Sequence, residues 1–294
     1  MRIWTPDRSV AELAARWAQP PSQFIKLDGM DVHVRDEGPR SANPPIVLLH
    51  GTGNSLHTWD PWAQELAKEH RVVRLDRPGF GLTGPNPSGD YTMDYYVGFM
   101  RRFLDVMEID RCVVVGNSAG GRVAWRFALA EPARVDRLVL IAAAGYPRTT
   151  KRALGFRIAM SPLGSLVLHV LPKSSMANSV RRTYGDPDKV TDEVLDRTYE
   201  VFLRKGVRDA LGSALRQGDA VEDSARIKDI AVPTLIVWGS KDSVLPLADA
   251  GRFAADIGGS KLVVLPGVGH LPQEEAPHES LAAFRAFYQP CAAL

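Results

Sequence analysis

The chain has 294 residues, 45% hydrophobic and 24% charged. That is long enough to bury a large core and too ordinary for a disordered, collagenous or disulfide-scaffold protein. Its 36 basic and 34 acidic residues leave a net charge of +2, too even to indicate a nucleic-acid partner, and Cys112 and Cys291 form neither a disulfide framework nor a zinc-ligand spacing.

The first residues, Met1 to Pro6, lack the apolar stretch of a secretory signal. Nowhere do about 18 apolar residues run uninterrupted, so no membrane-spanning helix is expected. Ser9 to Ala18 reads as a helix with Val10, Leu13, Ala14 and Trp17 on one face, an N-terminal extension covering residues 1–22. Gln23 to Leu27 and Met30 to Asp36 alternate as short strands around Asp28-Gly29, a hairpin turn signal. Pro45 to His50 is a continuous apolar run, as expected of a strand buried on both faces. Arg71 to Leu75 is the next strand, and Asp94 to Met107 is a helix with Tyr96, Met100, Phe103, Leu104 and Met107 three and four apart. Cys112 to Val115 is a further buried strand, followed by a helix from Ser118 to Ala130 and a strand from Leu138 to Ala142. Strands separated by helices are βαβ units, hence an α/β fold with a mostly parallel sheet and helices on both faces.

Between Pro147 and Glu222 only helical periodicity and turn residues occur, which reads as a helical cap over residues 147–222 inserted between core segments 23–146 and 223–294. The cap is basic, +5 over residues 148–219 against −3 for the rest. A solvated outer face explains this more simply than attraction of anionic substrates. Ile158 to Val180 is apolar but broken by Pro162, Gly164, His169 and Pro172, so it reads as short helices packed on the protein, with peripheral membrane contact left open. Thr234 to Val237 and Lys261 to Leu265 are the last strands, and a helix from Glu279 to Tyr288 closes the chain.

The chemistry concentrates at strand ends. Gly116-Asn117-Ser118-Ala119-Gly120 follows a buried strand and opens a helix. In that context a G-x-S-x-G pentapeptide makes a nucleophile elbow, exposing Ser118 Oγ beside the positive end of the helix. A serine needs a base, and the base an orienting acid. Of seven histidines, His270 lies in the glycine loop after the last strand, at the same sheet edge. His33, His70 and His278 read as structural or solvated, His57 and His169 as packing or surface, and His50 as loop scaffolding. The acid is Asp242, in the loop after Thr234 to Val237, which gives the chain order Ser…Asp…His. Asp249 and Asp256 read as surface charges on a helix, and Asp76 as a brace for its own loop. Backbone N–H groups of Thr52, Gly53 and Ala119 are the expected oxyanion donors.

His50-Gly51, Asp76-Arg77-Pro78-Gly79-Phe80-Gly81, Gly116 to Gly121, Gly239-Ser240-Lys241-Asp242 and Gly269-His270…Glu275-Ala276-Pro277 together resemble the α/β-hydrolase superfamily. The similarity is to its branch of esterases, epoxide hydrolases, haloalkane dehalogenases and meta-cleavage-product hydrolases, and runs from residue 23 onward. It implies an eight-stranded sheet, a helical cap after the sixth strand and a hydrolase without cofactor or metal. Serine rather than aspartate at 118 disfavours dehalogenase and epoxide hydrolase chemistry. The leading expectation is a carboxylesterase-type serine hydrolase acting on small-to-medium apolar esters through an acyl-enzyme. The alternative is a carbon–carbon-bond hydrolase of vinylogous diketones, which Gly116-Asn117-Ser118 resembles and Leu271, standing where those enzymes usually carry tryptophan, does not. A cytoplasmic location is the simplest expectation, although similar starts often follow a hydrophobic anchor.

Overall fold

The computed structural model describes residues 5–40, 44–147, 160–161, 164–217 and 223–288. Residues 148–159 and 218–222 at the two ends of the expected cap, parts of the Ile158 to Val180 stretch, and Cys291 lie outside them. The strands are β1 (Ser22–Leu27), β2 (Met30–Glu37), β3 (Ile46–Leu49), β4 (Val72–Leu75), β5 (Cys112–Asn117), β6 (Val135–Ile141), β7 (Thr234–Gly239) and β8 (Lys261–Leu265). They form one sheet in the order β1-β2-β4-β3-β5-β6-β7-β8. Only β1–β2 and β2–β4 pair antiparallel; from β4 to β8 every pair is parallel. The hairpin joining β1 to β2 turns on Asp28 and Gly29, both at positive φ (51° and 74°), the backbone a type I′ turn requires.

The alternation of side chains along each strand splits the core in two. Ile46 and Leu48 of β3 face one layer with Trp59, Trp62, Val113, Val115 and Phe284. Val47 and Leu49 face the other, with Val114, Phe99, Phe103, Trp125 and Phe253. Helices cover both faces. α1 (Val10–Trp17) and α2 (Asp60–Leu66) precede α3 (Met93–Val106), which starts where the Thr92 side chain accepts the Tyr95 N–H and buries Tyr96, Phe99, Met100, Phe103 and Leu104. α4 (Ala119–Ala130) follows β5 directly.

Between β6 and β7 the described residues hold no strand of the sheet, only helices: α5 (Gly164–His169), α6 (Lys173–Arg181), α7 (Asp192–Phe202) and α8 (Val207–Gln217), with short 3₁₀ turns. α9 (Leu247–Asp256), α10 (Pro272–Glu275) and α11 (Pro277–Tyr288) complete the chain.

The segment before β1 is tied to these inserted helices. Arg8 donates its N–H to Leu203 O (2.7 Å) and accepts from Lys205 N (2.9 Å), and Asp7 pairs with the buried Arg208. Trp17 Nε1 donates to Glu200 (2.7 Å), Arg16 pairs with the same carboxylate, and Leu13 and Trp17 pack on Leu82 and Val201. Trp17 O accepts from His57 Nε2 of the core (2.8 Å).

Candidate active site

The parallel strands end at one edge, and each expected site residue lies there, in a loop or turn or, for Ala119, at the first position of α4. After β5 the chain turns into α4 through Ser118, whose φ of 54° and ψ of −120° are strained for a residue with a Cβ. Three backbone hydrogen bonds impose that conformation. Ser118 N–H donates to Ile141 O (3.1 Å), and its carbonyl accepts from Arg122 N (3.1 Å) and Ala144 N (3.0 Å). A Cβ at Gly116 would lie 2.4 Å from Gly120 O, and one at Gly120 would lie 2.3 Å from Leu49 O, so the turn closes only with glycine at both places. Ser118 is left half-buried amid a buried strand and helix.

His270 follows β8 in a loop held from three sides. Its N–H donates to Thr183 O (2.6 Å) just past α6, and its carbonyl accepts from Asn117 Nδ2 (3.1 Å), so the residue before Ser118 is bonded to His270. Its Nδ1 donates to Asp242 Oδ2 (2.8 Å). The other Asp242 oxygen accepts from Val244 N (2.8 Å) and Leu245 N (2.9 Å), which commits the carboxylate to one orientation and leaves His270 Nε2 as the ring's free lone pair.

Two further residues of this region were given no role from sequence, although Glu275 stood in the motif that follows His270. The buried Glu275 accepts from Gly269 N (2.7 Å), Gly185 N (3.0 Å) and Asp186 N (2.9 Å), joining the His270 loop to the inserted helices. The two backbones approach so closely that a Cβ on Gly269 would sit 2.4 Å from Thr183 O. Next to it, Glu274 accepts from Tyr184 Oη (2.7 Å) and pairs with the buried Arg197 (3.2 Å). Burial and the facing carboxylate push the Tyr184 phenol well above its ordinary range. The signal in the sequence was the run Gln273-Glu274-Glu275: two acids four and five residues past a loop histidine, in a segment otherwise apolar.

The loop after β3 lies against the serine, for a Cβ on Gly51 would sit 3.0 Å from Ser118 Cβ. Among the described residues the Thr52 and Gly53 amides donate to no acceptor, and Ala119 N–H starts α4, where no intrahelical acceptor exists. A narrow cleft opens between Gly53, Asn54, Ser55 and Phe80 on the core side and Thr198, Phe202 and Leu211 on the helical side.

His33, His50 and His57 are buried and structural, whereas His278 is exposed. His33 Nδ1 meets Asp76 at 2.7 Å in full burial, and Asp76 also accepts from Leu56 N and Leu82 N (both 2.7 Å), so it braces its loop as expected. Asp249 corrects the sequence expectation: it is buried rather than a surface charge, and Asp256, though exposed, accepts from Tyr146 Oη (2.8 Å). Burial, with Arg77 as a neighbouring charge, lowers the His50 pKa to about 3, and burial does the same at His57. Both folded values lie below the unfolded value of about 6.5, so the unfolded chain binds more protons in acid and stability is lost as pH falls from about 6.5 toward 3. Urea unfolding is therefore expected to show a lower midpoint at pH 5.5 than at pH 7.5, the stability falling by up to about 1.4 kcal/mol per pH unit for each histidine. Equal midpoints would contradict buried neutral rings.

Residues 44–277 match the family model described as alpha/beta hydrolase fold. The chain is 32% identical over 262 residues to 2-hydroxy-6-oxo-2,4-heptadienoate hydrolase of Pseudomonas putida, covering 86% of this chain and 91% of that one. It is 31% identical over 276 residues to an uncharacterised protein of Mycobacterium tuberculosis, covering 88% and 79% respectively. Among solved structures, the meta-cleavage product hydrolase of Pseudomonas fluorescens superposes with a TM-score of 0.77 at 28% identity, over 91% of this chain and 96% of that one.

Proposed function

The chain belongs to the α/β-hydrolase fold family, and from that membership we propose that it is a serine-dependent hydrolase of carbon–carbon bonds in vinylogous diketones of the meta-cleavage-product type. The observation that carries the reading is the likeness to 2-hydroxy-6-oxo-2,4-heptadienoate hydrolase over most of both chains. The strained Ser118 and the bonded His270–Asp242 pair supply the chemistry.

In this reading His270 Nε2 takes the Ser118 proton as Oγ attacks the ketone, and Asp242 holds the imidazole and stabilises its charged form. The vacant Thr52, Gly53 and Ala119 amides receive the oxyanion. The dienol reacts in its diketo form, its hydroxyl proton moved to the carbon beside the attacked ketone. The bond between that carbon and the attacked carbon breaks, its electron pair is delocalised into the second carbonyl, and His270 returns the proton to the resulting enolate. Water, activated by the same base, then releases the acyl group from Ser118. Helices α5 to α8 act as the cap, with Thr198, Phe202 and Leu211 as the far wall of the cleft. No step calls for a cofactor or metal, and the substrate is a small molecule.

Ester hydrolysis is the second reading, because it uses the same machinery and a specific pairing favours it. The buried Arg197, a cation otherwise suited to a substrate carboxylate, is already neutralised by Glu274. The test is a direct competition of activities. The wild-type kcat/KM for bleaching of 2-hydroxy-6-oxo-2,4-heptadienoate is expected to exceed that for p-nitrophenyl butyrate by at least about tenfold, a margin of about 1.4 kcal/mol in transition-state binding. The reverse ratio would replace the first reading by the second.

A further inference from the structure

We propose that His50 is a positioning residue that aims the Thr52 N–H at the oxyanion formed on Ser118, an inference that rests on the reading of Thr52 as an oxyanion donor.

His50 ends β3 and is fully buried. Its two ring nitrogens face groups that leave it no choice of tautomer. Nε2 lies 3.0 Å from the Arg77 backbone N–H, which can only donate, so Nε2 accepts. Nδ1 lies 2.7 Å from Gly51 O, which can only accept, so Nδ1 carries the proton. The ring is therefore a neutral clamp of fixed direction. The Arg77 side chain holds the same residue a second time, its Nε donating to His50 O at 2.8 Å while its guanidinium lies over Phe80 and Tyr96, 5.0 and 5.2 Å from their ring centres.

The consequence lies in the next peptide. In a trans peptide the carbonyl and the following N–H point in opposite directions. Gly51 O, drawn to the His50 ring, forces the Thr52 N–H of the same peptide the other way, out of the buried side of the loop. Gly51 itself lies against Ser118. The one other donor to Gly51 O among the described residues is Asn54 N at 3.4 Å, too long to hold the peptide alone. Among the described residues Thr52 N–H has no acceptor, so its direction is set through the carbonyl it shares a plane with. His50 touches no reacting atom in this scheme; it acts through the Gly51–Thr52 peptide.

Three substitutions separate this from a packing role. His50→Asn keeps an N–H near the Nδ1 position, His50→Gln places its amide near Nε2 instead, and His50→Leu keeps neither. Rates are measured on 2-hydroxy-6-oxo-2,4-heptadienoate or p-nitrophenyl butyrate, whichever the wild type turns over faster, per site labelled to completion by a fluorophosphonate. The expected result is a kcat loss on the order of 10²–10³ for His50→Leu and His50→Gln, with KM within about threefold, and within about tenfold of wild type for His50→Asn. A trifluoromethyl ketone, whose hemiketal oxygen mimics the oxyanion, should lose affinity in proportion to kcat across the series. Equal losses in the Asn and Gln variants, losses that follow Tm rather than the donor, or changes confined to KM would overturn the proposal. Should His50→Leu not fold, the Asn–Gln contrast decides. Activity surviving in Ser118→Ala would mark failure of the serine mechanism itself, a different outcome from an intact serine dependence with no His50 contrast.

Discussion

Ser118→Ala is expected to fold with a Tm close to that of the parent chain and to lose on the order of 10⁴–10⁶ in kcat on either substrate class. The two halves of that expectation come from different atoms. The turn is imposed by backbone bonds of Ser118 with Ile141, Arg122 and Ala144, and the hydroxyl caps nothing in α4, so removing it leaves the elbow intact. What disappears is the nucleophile, and with it the covalent step. A fluorophosphonate should label the parent chain at Ser118 and leave the variant unlabelled. Substantial turnover by Ser118→Ala, measured by bleaching of the dienoate or release of p-nitrophenol, would sink the mechanism.

The second large effect is expected at the pair behind the serine. His270→Ala removes the base outright, and a loss near that of Ser118→Ala is expected because the two act as one unit. Asp242→Asn is the more informative change, with an expected loss of roughly 10³–10⁴ in kcat. Asp242 Oδ1 takes two backbone N–H groups, from Val244 and Leu245, and must remain an oxygen. An asparagine would keep its oxygen there and turn its NH₂ toward His270 Nδ1. That nitrogen would then have to accept, the proton would move to Nε2, and the lone pair needed by Ser118 would be gone. The folded structure should survive, since all three hydrogen bonds can still form. Near-wild-type kcat in Asp242→Asn would show that the tautomer does not matter.

The legible part of this site was local or ordered along the chain. The elbow is a pentapeptide between a valine-rich strand and a helix, and the loops of Asp242 and His270 follow strands whose apolar runs are unmistakable, so sheet edge and chain order selected them. The brace at Asp76 was legible for the same reason. The contacts that hold the site together were not. Thr183 O on the His270 amide, Glu275 on Gly185 and Asp186, and Glu274 on Arg197 join residues far apart in the chain. They depend on how the inserted helices sit, which no periodicity encodes. The N-terminal helix shows the same limit. Its apolar face was readable, and that it lies on Leu82 and Val201 was not.

That helix also constrains the order in which the molecule can assemble. α1 is eight residues long, too short to persist alone in water. Its partners Glu200 and Val201 lie 183 residues or more downstream of Trp17. At ribosomal speeds of roughly 5–20 residues per second, they are synthesised roughly 10–40 s after Trp17. For that interval α1 can reach only its nearer partners, Leu82 and His57, and the Leu13–Trp17 face is incompletely covered. The docking of α1 is thus completed only after the inserted helices exist, a long-range closure made late in folding.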